Sequence, residues 1–445
     1  MNHLAYVFER FPSFTQTFCV REILELERQG LHPLLFSIHD VRDEAVQHFP
    51  PGLLDRVHFL PPHHELVATI QQLKDARQLP QSVVLTLREW GDAPDKARVY
   101  EAAYIGWKMQ STGVRHAHAH FAGLAARTCW WLRQFYQHTY GFTGHANDMF
   151  VDPGLPVTLD LMLRDAAYVA TVSDFTASWL REKFPARAAK VHRVYNGLDL
   201  ATISQQTVGK PKAEPPLIYS VGRLIEKKGF DDLIRACADL RKEGKDFQCA
   251  IAGDGPLEDE LSAQIQSAGL GDAVRLLGAQ SQPQILEQLA RASIFALPCV
   301  TERDGGKDNL PTVLMEAMAA ARPCVSTRVA GVPEMVIHEK TGLLCEERQP
   351  EIFAGLLSRL LENPDFGKRF GEAGLVHARE NFAQEHTARQ LLALQIEFGD
   401  VGRDAKLASG HPLLGRAYRR QCWHRLARWW QRRKPSKQAI HPKSI

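Results

Sequence analysis

The stretch LIYSVGRLIEKKGF, residues 217–230, contains the structural unit from which the chain is built. The run LIYSV is largely apolar and ends at Gly222, and Gly229 precedes the helical pattern FDDLIRACADL. A short apolar run, a turn bounded by glycines and an amphipathic run predict a buried strand, a turn and a helix. The segment therefore predicts one β–α unit of a parallel sheet.

The same alternation extends in both directions and predicts an α/β protein with two doubly wound, Rossmann-like domains. Candidate strands cover 3–8, 32–38, 116–121, 166–172 and 191–196 in the first half, and 217–222, 247–253, 273–278, 293–298 and 322–327 in the second. A helix is predicted over 16–29. The predicted organisation is a first domain (1–205), a Pro/Lys-rich linker (206–216), a second domain (217–385), a helix crossing back (386–402) and a tail (403–445).

Length and composition favour a two-domain globular enzyme. A chain of 445 residues exceeds what one compact core usually holds. No apolar run reaches the roughly 18 residues of a membrane-spanning helix, and MNHLAYVFERFPSF lacks the basic region of a signal peptide, so the chain is expected in the cytoplasm. The eight cysteines are scattered without a C-x-x-C pair, which indicates reduced core residues.

Two cations and two glycines follow neighbouring predicted strands. Arg223 and Lys228 come after Gly222, and Gly253 follows the next strand in the turn AGDGPLEDEL. Ligands of open α/β sheets bind beyond the carboxyl ends of the strands, so the cations are expected where a diphosphate would lie, and Gly222 and Gly253 are expected to contact the nucleotide. The alternative is a solvated turn with ordinary surface cations.

The segment GKDNLPTVLMEAMAAARPCVST, residues 306–327, places two acids around a helix start. Asp308 lies in the loop, and Glu316 lies inside an apolar helical pattern where a core residue is expected. The free N–H groups of a helix start attract an anion, here near Leu310, Pro311 and Thr312. A carboxylate accepts from two adjacent sugar hydroxyls, so the segment favours a sugar nucleotide.

These motifs resemble the retaining GT-B glycosyltransferases of family 4, whose hallmark is two acids separated by seven residues. The resemblance rests on GRLIEKKGF, AGDGPLEDEL and DNLPTVLMEAMAAARPCVSTRVAGVPEMV, and upstream on FTGHANDMF, ATVSDFTASWL and VYNGLDL. The segment ERFPSFTQTFCVREILELERQG resembles a bacterial exopolysaccharide (colanic-acid-type) subgroup. The chain differs from the family at Asp308, where glutamate is commoner, and in lacking a Gly-rich N-terminal loop.

The resemblance implies a role for each candidate residue. Arg223 and Lys228 hold the donor diphosphate, Glu316 binds the ribose, Asp308 touches the transferred hexose, and His145 lines the reacting face and accepts a hydrogen bond from the sugar. The acceptor attacks on the face from which the nucleotide leaves, and the leaving oxygen takes its proton. The donor is a UDP- or GDP-linked sugar, and no cofactor or metal is expected.

Three histidines alternate along the strand pattern RHAHAHFAG and share one face of it. His116, His118 and His120 in this arrangement suggest a metal site. The alternative, which we adopt, is packing and hydrogen bonding beneath the interdomain cleft, with His120 nearest the strand end.

The tail is strongly basic and amphipathic, with twelve Lys/Arg and one acid in 403–445. Apolar residues recur every four positions from Leu414, and tryptophans suit a headgroup boundary. The tail predicts peripheral contact of 405–445 with an anionic membrane, and no nucleic-acid binding. The expected activity is hexose transfer to a lipid-linked polysaccharide intermediate, at the inner face of the cytoplasmic membrane. Two alternatives are a nucleotide-sugar epimerase on the same fold and a non-catalytic membrane- or nucleic-acid-binding protein.

Overall fold

Two parallel sheets, one after the other along the chain, organise the computed structural model. The structure describes residues 4–13, 16–45, 49–90, 93–145, 147–151 and 153–399. The predicted tail at 403–445, with its membrane contact at 405–445, lies outside these residues.

The first sheet has seven strands in the order β3-β2-β1-β4-β5-β6-β7. Its strands are β1 (Ala5–Arg10), β2 (Leu34–His39), β3 (Val57–Phe59), β4 (His116–His120), β5 (Thr139–Gly144), β6 (Tyr168–Thr171) and β7 (Val191–Arg193). Five of them correspond to predicted strands. The sequence analysis did not assign β3 or β5, because β3 has only three residues and β5 contains two glycines.

The second sheet has six strands in the order β10-β9-β8-β11-β12-β13. Its strands are β8 (Leu217–Val221), β9 (Gln248–Ala252), β10 (Val274–Leu276), β11 (Ile294–Leu297), β12 (Cys324–Thr327) and β13 (Gly342–Cys345). All pairings in both sheets are parallel, which confirms the predicted α/β class with two doubly wound sheets. Among the strands of this second sheet, only β13 was not predicted.

The helices pack on both sheets and supply the crossover connections. Those before β8 are α1 (Thr17–Arg28), α2 (Arg42–Ala45), α3 (His63–Asp75), α4 (Gln81–Glu89), α5 (Ala97–Gln110), α6 (Leu124–Tyr136), α7 (Asn147–Phe150), α8 (Leu159–Asp165), α9 (Asp174–Lys183) and α10 (Leu200–Thr207). Those after it are α11 (Phe230–Lys242), α12 (Glu258–Ser267), α13 (Gln282–Arg291), α14 (Thr312–Ala319), α15 (Val332–Met335), α16 (Pro350–Glu362), α17 (Pro364–Asn381) and α18 (Gln384–Phe398).

The last helix, α18, packs against the first sheet although it follows the second. Its Ala388 and Leu392 share a core with Leu4, Tyr6 and Phe8. Its Gln395 amide donates a 2.9 Å hydrogen bond to the hydroxyl of Tyr6 in β1. The two sheets are therefore joined both by the segment between β7 and β8 and by this return crossing.

Both sheets bury some polar side chains, including three histidines on β4 and Ser220, Ser326 and Thr327 in the second sheet. The seven cysteines of the described residues are all buried and unpaired. None of the helices described is long and apolar enough to cross a membrane.

Candidate active site

The carboxyl ends of β8 and β11 meet where the order of the second sheet reverses direction, which is where doubly wound sheets bind ligands. Lys228 lies in the turn after β8, and Asp308 lies in the loop between β11 and α14. The Lys228 ammonium donates to the Asp308 carboxylate in a salt bridge. Two predicted site residues that are 80 positions apart in the sequence are thus in contact.

This ion pair is largely removed from water. The Lys228 side chain is 13% exposed and that of Asp308 is 19% exposed. Burial by itself lowers the pKa of Lys228, but the Asp308 carboxylate outweighs it, and the net pKa is raised. Lys228 is therefore a fixed cation at neutral pH, in a place where its charge is weakly screened.

The glycines beside the pair allow the two strand–helix turns to touch. A Cβ on Gly222 would lie 3.1 Å from Cδ of Lys228, so the lysine stem lies against this residue. Gly253 has φ +141°, and a Cβ there would lie 1.8 Å from the carbonyl oxygen of Gly222. Gly253 is thus required by backbone packing, and its predicted contact with the nucleotide stays a prediction.

Arg223, the other predicted cation, is exposed at the end of β8. Its guanidinium makes no hydrogen bond or ion pair with any residue that the structure describes. It lies five positions before Lys228 in the chain, and its exposed donors are available for a ligand.

The helix α14 begins beside Asp308. Pro311 is its N-cap and has no N–H, and no side chain caps the helix. Leu310 and Pro311 are buried, and Thr312 is partly exposed. A helix start without a side-chain cap leaves N–H groups available to an anion.

Glu316 is buried on α14, 7% exposed. Burial raises the pKa of its carboxyl, while the Arg21 guanidinium of the first domain and a hydrogen bond from Gln282 lower it. Arg21 is partly buried, and its Nε atom has no hydrogen-bond partner among the described residues. The sequence analysis missed Arg21, since nothing in α1 indicates that its cation faces an acid 295 positions away.

His145 follows β5 and approaches the second domain. Its carbonyl oxygen accepts a 2.6 Å hydrogen bond from the Asn309 amide, next to Asp308 in the chain. Its own N–H donates to the Asp148 carboxylate at 3.1 Å. Asn309 also accepts a 2.7 Å hydrogen bond from the Ser173 hydroxyl. His145 is therefore brought beside the Lys228–Asp308 pair by an amide that the sequence analysis missed.

A second contact between the domains is made by Glu334 of α15. Its carboxylate accepts from the N–H groups of Asp174 at 2.7 Å and Phe175 at 2.8 Å, at the start of α9. The Tyr195 hydroxyl donates to the same carboxylate at 3.0 Å. Asn309 and Glu334 thus hold the two domains together on the side of the cleft where α9 begins. The sequence carried no signal for Glu334.

The three alternating histidines lie inside the first sheet and hydrogen-bond to protein groups. His116 bonds to Thr139, and His118 bonds to Tyr168 and Thr143. This confirms the expectation of packing and hydrogen bonding for both side chains. Ligand atoms of Glu22, His118 and His120 lie within 4.8 Å of one another and could hold a metal ion. Both nitrogens of His118 already have hydroxyl partners, so the set does not favour a metal.

The comparisons with known sequences cover part of the chain. Residues 203–376 match the family described as glycosyl transferases group 1. The amylovoran biosynthesis glycosyltransferase AmsK of Erwinia amylovora is 41% identical over 147 residues, 33% of this chain and 36% of the relative. The putative colanic acid biosynthesis glycosyltransferase WcaL of Escherichia coli is 36% identical over 198 residues, 44% of this chain and 48% of the relative. The chain thus spans half or less of the length of these relatives.

Solved structures extend the likeness to nearly the whole chain. A glycosyltransferase from Rickettsia africae has a TM-score of 0.69 at 14% identity, covering 91% of this chain and 100% of that one. Alr3699/HepE from Anabaena, solved in complex with UDP, has a TM-score of 0.63 at 18% identity, covering 89% and 100%. At these identities the likeness concerns the fold, which is GT-B. The chain thus has a GT-B fold, and its residues 203–376 match the group 1 glycosyltransferases.

Proposed function

We propose that this chain is a retaining hexosyltransferase that uses a UDP- or GDP-linked sugar. The observation that carries the proposal is the Lys228–Asp308 pair at the switch point of the second sheet, with His145 held beside it. A buried cation, an uncapped helix start and a partly buried acid form a site for a diphosphate joined to a sugar. We further propose that residues 1–205 bind the acceptor and residues 217–385 the donor.

In the proposed reaction the protein acts mainly by electrostatic stabilisation. Lys228 and Arg223 neutralise the charge that develops on the leaving diphosphate, together with the N–H groups at the start of α14. Glu316 accepts from the ribose hydroxyls, and Asp308 orients the hexose. The acceptor hydroxyl attacks on the face that the diphosphate leaves. Its proton passes to the leaving phosphate oxygen, so no protein base is required.

The relatives support a role in polysaccharide synthesis. The names of two of them state amylovoran and colanic acid biosynthesis. The nucleotide is less restricted, because HepE was solved with UDP whereas a mycobacterial relative that is 29% identical is described as GDP-mannose-dependent. We therefore propose transfer to a lipid-linked intermediate in exopolysaccharide or capsule biosynthesis, with the base of the nucleotide open.

We also propose that the chain works at the inner face of the cytoplasmic membrane, through the basic residues 405–445. The support is the charge and the amphipathic pattern of the tail, where each cation near an anionic surface contributes about 1 kcal/mol. Co-sedimentation with anionic vesicles should be lost in a chain truncated at residue 404. Equal sedimentation of the two chains would contradict this part of the proposal.

The activity is tested with a panel of UDP- and GDP-sugars. Thermal unfolding identifies the donor, since a ligand that binds only the folded state raises the unfolding temperature. Donor turnover is then compared between wild type, Lys228→Ala, Glu316→Ala and the control Lys227→Ala. Lys227 neighbours Lys228, but its ammonium lies 4.0 Å from the Glu302 carboxylate, outside the proposed site.

We expect the Lys228 and Glu316 variants to lose about 10²-fold or more in rate and the Lys227 variant to keep its activity. Equal turnover in all four proteins would refute the site. Conversion of the sugar without an acceptor would favour the epimerase instead.

A further inference from the structure

A buried chain of hydrogen bonds leads from α1 to His145. The Glu22 carboxylate lies 3.2 Å from Nε2 of His120, and Nδ1 of His120 lies 3.1 Å from Nε2 of His145. His120 is 1% exposed, His145 is 8% exposed, and the Glu22 side chain is 19% exposed. The three groups come from α1, β4 and the segment after β5, so only the folded domain connects them.

Glu22 is held in place by a second layer of contacts. The Tyr6 hydroxyl donates to Oε1 of Glu22 at 2.7 Å, and the Gln395 amide donates to the Tyr6 hydroxyl at 2.9 Å. The carboxylate oxygen that faces His120 therefore also accepts from Tyr6. A carboxylate fixed in this way has a defined direction toward the imidazole.

The geometry restricts where the protons lie. A carboxylate only accepts, so Nε2 of His120 carries a proton and donates to Glu22. If His120 is an imidazolium, its Nδ1 also donates, and Nε2 of His145 must accept. A neutral His145 that accepts through Nε2 carries its proton on Nδ1. If His120 is neutral, the His120–His145 bond reverses, and Nδ1 of His145 presents a lone pair.

Nδ1 of His145, which carries a proton or a lone pair according to the state of His120, is available to a ligand. Nδ1 of His145 makes no hydrogen bond within the part of the chain that the structure describes. The His145 ring packs against Phe18 and Phe121, with ring centroids 4.7 and 4.4 Å away. The His145 carbonyl accepts a hydrogen bond from Asn309, in the loop between β11 and α14.

We infer that Glu22 and His120 are positioning residues that hold His145 in the Nδ1–H tautomer, so that His145 offers a hydrogen-bond donor to the transferred hexose. This rests on the proposed function, because it places the hexose at His145. It reverses the direction expected from the sequence, in which His145 accepts from the sugar. Glu22 acts on the sugar only through the two histidines.

The electrostatics of the cluster agree with the imidazolium form of His120. Burial lowers the pKa of His120, whereas the neighbouring Cys19 sulfur and Glu22 carboxylate raise it, and the net pKa is raised to about 10. Burial and the nearby His120 charge lower the pKa of His145, which keeps it neutral. The titratable groups packed around His120 are Cys19 and Glu22 on α1, Tyr6 on β1, His118 on β4 and His145 after β5.

The first test is NMR of ¹⁵N-histidine-labelled protein, which needs no activity. His145 is assigned by the resonances lost in His145→Asn. We expect Nδ1 of His145 to be protonated and Nε2 unprotonated in the wild type at pH 7.5, and both nitrogens of His120 to be protonated. Glu22→Gln should reverse the tautomer of His145 at that pH. A wild-type His145 with its proton on Nε2 would overturn the inference whether or not the protein transfers sugar.

The second test is the pH dependence of kcat. The carboxylate of Glu22 stabilises the imidazolium, so in Glu22→Gln the pKa of His120 falls and its proton is lost as pH rises. We expect the loss of kcat in Glu22→Gln to reach about 10²-fold at pH 8.5 and to become smaller as the pH falls, whereas the wild type stays level. The dissociation constant for the nucleotide alone should not change, because the diphosphate site lies in the second domain.

The matched control is Glu25→Gln, on the same helix. The buried carboxylate of Glu25 pairs with Arg28 at 2.7 Å and is not part of the hydrogen-bond chain of Glu22, His120 and His145. It should keep the wild-type pH profile and the His145 tautomer. A Glu22→Gln variant whose kcat falls by the same factor at every pH would show a merely structural role and would overturn the inference. If the wild type has the expected His145 tautomer but transfers no sugar, the proposed function would be contradicted instead.

Discussion

The ion pair between Lys228 and Asp308 allows one prediction that links the stability of the second domain to nucleotide binding. Asp308→Asn keeps the shape of the side chain and removes its charge. The Lys228 ammonium, 13% exposed and packed against Gly222, would then have no anion beside it. Lys228→Met leaves the Asp308 carboxylate unpaired in the same way, and the double variant removes both charges.

Breaking a buried ion pair by removing one partner costs about 3–5 kcal/mol. Both side chains keep some contact with water, so the lower end, about 3 kcal/mol, applies to each single variant. In a domain of about 200 residues, 1 kcal/mol corresponds to roughly 2–4 °C, so each should lower the unfolding temperature of the second domain by about 6–12 °C. The double variant should lie within about 1 kcal/mol of the wild type, because no buried charge is left unpaired.

The assay is thermal unfolding with and without UDP or GDP. Nucleotide at 100 times its dissociation constant stabilises the wild type by about 2.7 kcal/mol. The diphosphate supplies a new anion to Lys228, so it should rescue Asp308→Asn more than the wild type, and should rescue Lys228→Met least. The Asp308→Asn penalty should also shrink from pH 7 to pH 9. Without the acid, burial, which is the largest influence on the pKa of Lys228, lowers it, so the neutral amine becomes accessible.

Equal unfolding temperatures for the wild type and both single variants would refute the claim that the pair is buried and coupled. Rescue of Lys228→Met by nucleotide as large as that of Asp308→Asn would refute the placement of the diphosphate at Lys228. Lys227→Ala serves as the control for removing a neighbouring cation. Its unfolding temperature should fall less than that of either single variant, because the Lys227 ammonium lies 4.0 Å from the Glu302 carboxylate and makes no hydrogen bond to it.

Three further changes test the surroundings of the site. Arg21→Met removes a cation that lowers the pKa of Glu316, so nucleotide affinity by calorimetry should fall more at pH 6 than at pH 8; an equal fall at both would contradict it. Glu334→Ala leaves two N–H groups of α9 unpaired, which should cost about 1–3 kcal/mol and increase the radius of gyration in X-ray scattering; an unchanged radius would show that Glu334 does not hold the domains together. Gly253→Ala should lower stability by more than 1 kcal/mol through its clash with Gly222, and wild-type stability would refute the backbone argument.

The α/β architecture was predictable because it depends on local patterns. Apolar runs of five or six residues separated by helical patterns indicate parallel strands wherever they occur, and α1 was found at Thr17–Arg28 against a predicted 16–29. The strands missed were β3, which has only three residues, β5, which contains two glycines, and β13, which has four residues. The contact between Lys228 and Asp308 was also accessible to sequence reasoning, since each residue follows a strand that ends at the switch point of the sheet.

The sequence by itself determined which residues stand at the ends of the strands, and the tertiary structure decided what each of them touches. Lys228 and Asp308 are 80 positions apart, and His145 and Asn309 are 164 apart. The hydrogen-bond chain of Glu22, His120 and His145 joins three parts of the first domain. Glu334 accepts hydrogen bonds from the start of α9, 160 positions earlier. Periodicity reports only neighbours within a few residues along the chain. Contacts of this kind form when two sheets and two domains pack, so no local pattern encodes them.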